Sequence, residues 1–311
     1  MQTTQAVTRL PAGPRTKGPL VFLDYDQQEL DAAYDQAVYA PHSEHVRRRL
    51  VKMSEAVRAR LGQPARMAYG PSDIEKLDIY ATSHASAPVH VHLHGGAWRR
   101  GTAKGNAYAA EVFVNAGAHF VVPDFVWVQD APDSLRTIVD QVKRAVIWVY
   151  RNARTFGGDP ERIYLSGMSS GAHLAAVLLT TDWVAEGLPA DVLKGGLCCS
   201  GMYDLHPVRL SARSSYVPFD DAMVESLSPQ RHIAHLKAPL VVAHGTLETP
   251  EFQRQARDFA AAVKAAGREV TLLVCEEYNH FEIKEALASP YGVLGRAALA
   301  QMRLTASSAI G

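Results

Sequence analysis

Gly167-Met168-Ser169-Ser170-Gly171 constrains this chain more than any other stretch, because it stands between a β-like run, Arg162-Ile163-Tyr164-Leu165-Ser166, and a helical run from Ala172 to Leu179. A serine flanked by two glycines, where a strand passes straight into a helix, is a sharp turn. Strand and helix crowd each other there, so neither glycine position has room for a side chain, and the central serine is held in a strained conformation with its hydroxyl at the tip. Such a turn commits the chain to strands followed by helices. Ser166 and Ser170 lack glycines on both sides and read as ordinary strand and helix-start residues.

The rest of the chain agrees with that commitment. From about Leu77 onward, short apolar runs at 77–81, 89–93, 119–122, 162–166, 195–199, 239–243 and 270–274 read as strands. Between them, Leu135, Ile138, Val139, Val142, Val146 and Val149 recur at helical spacing. Phe252, Ala256, Phe259, Ala260 and Val263 do the same, closed by Gly267 where a helix C-cap is wanted. Strands alternating with helices imply right-handed crossovers and an α/β fold with a mostly parallel central sheet covered by helices on both faces. Residues 1–20, with three prolines and two glycines, read as a flexible arm. Residues 21–65 read as an N-terminal helical segment before any sheet, a lid in the making, and 66–311 as the main domain. The basic run Arg47-Arg48-Arg49 reads as a solvated helix face.

Composition narrows the function classes. Lysine plus arginine and aspartate plus glutamate each total 32 in 311 residues, so no net field gathers nucleic acid or an anionic membrane, and a small, weakly charged substrate is the expectation. Cys198, Cys199 and Cys275 lie in apolar, strand-like segments and not at metal-ligand spacing, which fits buried thiols of a reducing compartment. With no apolar targeting segment at the start and no run approaching a membrane span, the expectation is a soluble cytoplasmic protein, free or as a homo-oligomer.

A serine hydroxyl becomes a nucleophile only when a base takes its proton, and acyl transfer needs donors for the developing oxyanion. The strand at 89–93 opens into His94-Gly95-Gly96-Ala97-Trp98, a loop whose glycines let backbone N–H groups approach a substrate oxygen. Gly95, Gly96 and Ala97 are the candidate oxyanion donors, with the Ser170 N–H as the donor from the turn. For the base, the order serine, acid, histidine selects His280, on the loop after the last strand, from 13 histidines. For the acid, Glu248 follows the strand at 239–243, and Asp204, after the preceding strand, is the alternative. His90, His92 and His94 alternate along one strand face as zinc ligands would, but no carboxylate or cysteine stands at matching spacing, so no metal and no cofactor is called for. His173 reads as a hydrogen-bonded helix residue, with a second base as the alternative.

With these residues in place, the sequence resembles the α/β-hydrolase fold over about residues 75–305, and within it the arylformamidase (kynurenine formamidase) family. The resemblance rests on His94 to Trp98, Val139-Asp140-Gln141-Val142, Ser166 to Ala176, Tyr203-Asp204-Leu205-His206-Pro207, Pro250-Glu251-Phe252 and His280-Phe281-Glu282-Ile283. It implies a Ser169, Glu248, His280 triad hydrolysing a small aryl amide, formamide or ester through an acyl-enzyme. Ala97, Ser170 and Glu248 stand where the family generally has Tyr, Ala and Asp. Ala97 in particular leaves room at the pocket mouth for a bulkier acyl or aryl group.

Two other functions are consistent with the same residues: a carboxylesterase, amidase or carbamate hydrolase of broader range, and a catalytically silent hydrolase fold used for binding. Tyr25, Tyr34 and Tyr39 of the N-terminal segment, with Trp98, Trp127 and Phe281, are candidates to shape an aromatic pocket. Of these, Tyr34, Trp98, Trp127 and Phe281 are the expected substrate contacts.

Overall fold

The computed structural model of the protein describes residues 16–305. Two short strands, β1 (Leu20–Phe22) and β2 (Tyr25–Asp26), pair as a hairpin. Eight more make one sheet: β3 (Ala65–Ala68), β4 (Lys76–Tyr80), β5 (Ala87–Leu93), β6 (His119–Pro123), β7 (Gly158–Met168), β8 (Leu193–Cys199), β9 (Leu240–Gly245) and β10 (Val270–Cys275). Their order across the sheet is β10-β9-β8-β7-β5-β6-β4-β3. The six strands β5 to β10 run parallel, whereas β4 is antiparallel to both β6 and β3. Each of the seven expected strands is present, shifted by a few residues at its ends.

Alternation along the strands builds a core on each face of the sheet. Val89, Val121, Ile163, Leu165, Leu240 and Val242 belong to one buried cluster. Their neighbours Phe120, Val122, Tyr164, Val241 and Ala243 belong to the other. Among the helices, α1 (Gln27–Ala33), α2 (Ser43–Leu61) and α3 (Ala110–Asn115) come first, then α4 (Ser134–Asn152) and α5 (Ser170–Leu179). The chain continues through α6 (Leu205–Leu210), α7 (Asp221–Ser226), α8 (Pro250–Ala265) and α9 (Val293–Gln301). The apolar stripes of α4 and α8 are buried in the first cluster, and α2, α3 and α9 contribute to the second. Helices therefore cover both faces, as a mostly parallel sheet requires.

The N-terminal region differs from the sequence expectation in two ways. A hairpin, not a helix, opens it, and β3 extends the sheet one strand beyond the first one expected. All four β3 residues are exposed, so Ala65-Arg66-Met67-Ala68 carries no apolar alternation to read. Backbone pairing to β4 alone defines it. The helical part breaks around Pro41 as expected, giving α1 and α2 with a short 3-10 turn at Gln36–Tyr39 between them. Most of the arm expected over 1–20 lies outside the described residues. Among the described residues no helix is long and apolar enough to cross a membrane.

Candidate active site

The six parallel strands bring their following loops to one edge of the sheet, their carboxyl ends, where open α/β sheets place their ligand sites. Ser169 follows β7 directly, with φ 58° and ψ −123°, a region L-residues avoid at a cost of about 1–3 kcal/mol. The glycines make that turn possible. A Cβ on Gly167 would stand 2.1 Å from the Gly171 carbonyl oxygen, and one on Gly171 would stand 2.1 Å from the Leu93 carbonyl oxygen. The Ser169 N–H donates to the Cys199 carbonyl at 2.9 Å, so β8 helps to hold the strained residue.

Ser169 Oγ lies 2.9 Å from His280 Nε2, and His280 Nδ1 lies 2.8 Å from Glu248 Oε2. All three side chains are buried. The second carboxylate oxygen of Glu248 accepts the Ser200 hydroxyl at 2.6 Å and the Gly245 N–H at 2.8 Å. Burial alone would raise the Glu248 carboxyl, but His280, the Gly245 amide and Ser200 together outweigh it and hold the group below its ordinary range. Burial also holds the His280 imidazole below the ordinary histidine range, against the pull of Glu248, and the nearby Lys284 and Arg213 charges act in the same direction as burial. The histidine is thus neutral at rest. With Nδ1–H directed at Glu248, its Nε2 is free to accept the serine proton.

Asp204 stands elsewhere. Its carboxylate caps α6, accepting the His206 N–H at 3.0 Å. His173 Nε2 is 2.8 Å from the Leu227 carbonyl, and burial holds the imidazole down to about 4. His90 Nε2 and His92 Nδ1 share the Ser166 hydroxyl at 2.7 and 2.8 Å. Among the described residues no group of three or more His, Cys, Asp or Glu side chains is placed to hold a metal.

The loop after β5 lies against the serine turn. Gly96 takes φ 129°, and Ala97 and Trp98 take positive φ of 56° and 59°. Gly95, Gly96 and Ala97 line the cavity above Ser169. Among the described residues the N–H groups of Gly96, Ala97 and Ser170 have no hydrogen-bond acceptor. The Ser170 side chain has a role that the sequence did not suggest: its hydroxyl accepts the Trp98 N–H at 3.1 Å, pinning the loop to the turn.

The cavity has a volume of about 720 Å³. Of the four residues expected to contact substrate, Tyr34, Trp127 and Phe281 line it. Trp98 does not. Its side chain is 1% exposed and packs edge-on against His173, ring centres 5.2 Å apart. The two consecutive positive-φ residues turn the loop back on itself, and the Trp98 carbonyl accepts the Val128 N–H at 2.8 Å, so the indole goes into the core. Arg47 is a second difference. It lines the cavity, with its guanidinium 4.5 Å from the centre of the Phe281 ring, so Arg47-Arg48-Arg49 is not simply a solvated face. Ser200, at the end of β8, was also missed, although a hydroxyl at a strand's carboxyl end beside the acid's strand is a readable signal.

The N-terminal segment forms one wall of the cavity and is fastened beside the acid. The Thr249 hydroxyl donates to the Ala33 carbonyl at 2.6 Å, and the Tyr34 hydroxyl donates to Glu251 at 2.9 Å. Tyr25 and Tyr39 do not line the cavity, Tyr39 being exposed.

Comparison with known proteins agrees with this architecture. Residues 77–190 match the BD-FAE family model. The chain is 33% identical over 231 residues to a kynurenine formamidase of Danio rerio, covering 70% of this chain and 75% of that enzyme. It is likewise 33% identical over 232 residues to the kynurenine formamidase of Salmo salar, with the same coverage. Among solved structures, a thermostable carboxylesterase cloned from a metagenomic library superposes with a TM-score of 0.67 at 18% identity, covering 84% of this chain and 97% of that one. At that identity the likeness speaks for the fold. A third of the residues shared across three quarters of the fish enzymes, on this sheet, places the chain in the kynurenine formamidase family, as an enzyme of the α/β-hydrolase fold.

Proposed function

We propose that this enzyme hydrolyses a formamide or ester bond of a small aromatic substrate through an acyl-enzyme on Ser169. The observation that carries the reading is the unbroken relay from Ser169 Oγ through His280 to Glu248, at 2.9 and 2.8 Å, opening on a cavity with aromatic walls. Ser169 Oγ attacks the acyl carbon as its proton passes to His280 Nε2, and Glu248 orients the ring and balances the imidazolium. The carbonyl oxygen, now an oxyanion, is received by the N–H groups of the Gly95–Ala97 loop and of Ser170. Collapse expels the amine or alcohol, which takes its proton from His280. A water deprotonated by His280 then attacks the acyl-enzyme, releasing formate or another carboxylate and restoring Ser169.

The relatives' activity supports the formamide. The cavity favours a broader acyl range as a second reading, because about 720 Å³ with only Ala97 at the loop tip holds more than a formyl group. Formanilide, acetanilide and a p-nitrophenyl ester assayed in parallel separate the two. Ser169→Ala is expected to lower kcat by about 10⁶ for every substrate and to abolish labelling by a fluorophosphonate. Turnover within tenfold of the parent would discard the mechanism. We also place the enzyme in the cytoplasm, a reading supported by three free, buried cysteines.

A further inference from the structure

The neutrality of the whole chain is not shared by the cavity over Ser169. Arg47, Arg99, Arg100, Arg213 and Lys284 line it, against the carboxylates of Asp31 and Asp35. Both carboxylates are already engaged. Asp31 accepts the Gln27 amide at 2.9 Å and the Ala212 N–H at 2.6 Å, and Asp35 accepts the Ala37 N–H at 3.0 Å. Of the five cations, Arg47 has an ion pair, with Glu44 at 3.2 Å. Among the described residues Arg99, Arg100, Arg213 and Lys284 have none. Arg99 stacks 4.3 Å over the Tyr216 ring, and Arg213 donates to the Tyr216 hydroxyl and the Tyr34 carbonyl.

Three of these cations gather around Lys284 and Phe281, next to His280 in the chain, and of the five Lys284 and Arg213 act on the His280 ring itself. The Arg47 guanidinium is 4.5 Å and Lys284 Nζ is 5.6 Å from the centre of the Phe281 ring, which is itself 5.5 Å from the His280 ring. Arg100 comes in from the oxyanion loop, its Cγ 3.0 Å from where a Cβ on Gly96 would stand. Three like charges with Glu44 as the one ion-paired carboxylate among them raise one another's free energy, and an arriving anion relieves the repulsion. Lys284 registers the crowding: burial, with Arg47 and Arg100 beside it, pushes its ammonium down to about 8.

We propose that Arg47, Arg100 and Lys284 form an anion subsite on the leaving-group side of the catalytic serine. It fits substrates whose leaving amine or alcohol carries a carboxylate or phosphate and a net negative charge. The side follows from the chemistry: the imidazole that protonates the leaving group must adjoin it, and the cluster adjoins His280. The assignment rests on Ser169 and His280 acting as proposed above.

Two measurements test it. Formate release from 3-formamidobenzoate is compared with release from its neutral isostere 3-formamidobenzamide. The expected kcat/KM ratio favours the acid by about tenfold or more, the worth of one charge-assisted hydrogen bond. That ratio should shrink as NaCl is raised, collapse in Arg47→Gln and Lys284→Gln, and survive in Lys284→Arg. Equal turnover of acid and amide, or a preference unmoved by salt and by both glutamine substitutions, overturns the subsite while leaving the serine mechanism standing. Loss of all turnover with intact binding would instead remove the mechanism alone. Binding is therefore read separately, by calorimetry on Ser169→Ala with benzoate, phenyl phosphate and benzamide. Either anion binding about tenfold tighter than benzamide, and losing that margin in Lys284→Gln, supports the subsite, and the tighter anion identifies the group. Three equal affinities reject it.

Discussion

At the scale of single residues, the groups proposed to be catalytic are distinguished by what surrounds them. Glu248 is one methylene longer than the family's usual aspartate, and the structure accommodates it without losing the histidine. One carboxylate oxygen is held back by the Gly245 N–H and the Ser200 hydroxyl, and the other reaches His280 Nδ1. His280 is kept neutral by its burial, which has a consequence for pH. The base works only when unprotonated, and its folded-state pKa lies below the ordinary value of about 6.5. The acid limb of kcat/KM, which reports the free enzyme, should therefore have its midpoint below pH 6.5 for a neutral substrate. A midpoint above that value in a rate profile would contradict the burial argument. The candidate nucleophile, base and acid could all be read from the sequence because each follows a recognisable strand. Trp98 could not be read correctly, because its direction depends on two positive-φ residues that no side-chain pattern announces.

At the scale of elements, the junction from β7 to α5 is the most tightly determined piece of the molecule. Its glycines are fixed by backbone contacts and not by flexible side chains: the space a Gly171 Cβ would need is occupied by the carbonyl oxygens of Leu93, at 2.1 Å, and His94, at 2.6 Å. Strand β5 and helix α5 would have to part to admit it. Gly171→Ala is thus expected to cost about 3 kcal/mol, at the upper end for overpacking, read as a lowered denaturant midpoint. Because the same movement displaces Ser169 from the loop after β5, activity should fall even in the fraction that remains folded. A variant with parental stability and parental turnover would show that the junction has slack. The strands β4 to β10 were legible because apolar runs bounded by turns mark them. β3 was not, since all four of its residues are exposed and an edge strand of that kind owes its existence to its neighbour's hydrogen bonds.

At the scale of the whole molecule, charge distribution matters more than charge total. Arg47 of α2 and Lys284 of the segment after His280, far apart in sequence, meet over Phe281, and the charge of Arg100, from the loop after β5, acts on both. Burial and the charges of Arg47 and Arg100 push the Lys284 ammonium down, Cys199 and Glu248 pull it up, and the balance holds it at about 8. It attracts an anion only while protonated, so kcat/KM for an anionic substrate should decline above about pH 8, an alkaline limb that a neutral substrate lacks. Matching profiles for the two substrates, or a limb that persists in Lys284→Gln, would assign the limb to another group.

The sequence by itself determined the α/β alternation, the strained serine turn, and the order of the candidate oxyanion loop, nucleophile, acid and base, because periodicity, glycine placement and strand-end position are local properties of the chain. Only the tertiary structure decided which groups converge on the serine from a distance. β10 lies three strands from β7 in the sheet, roughly 14 Å at ordinary strand spacing, and the loop after β10 folds back across that gap to bring His280 to Ser169. The same convergence turned Trp98 into the core, fastened the N-terminal segment over the site through Tyr34 and Thr249, and gathered cations from a chain of zero net charge into one cavity. Through-space neighbours set burial, charge and room for substrate, and they are fixed by how the sheet is ordered and covered, which composition and spacing do not encode.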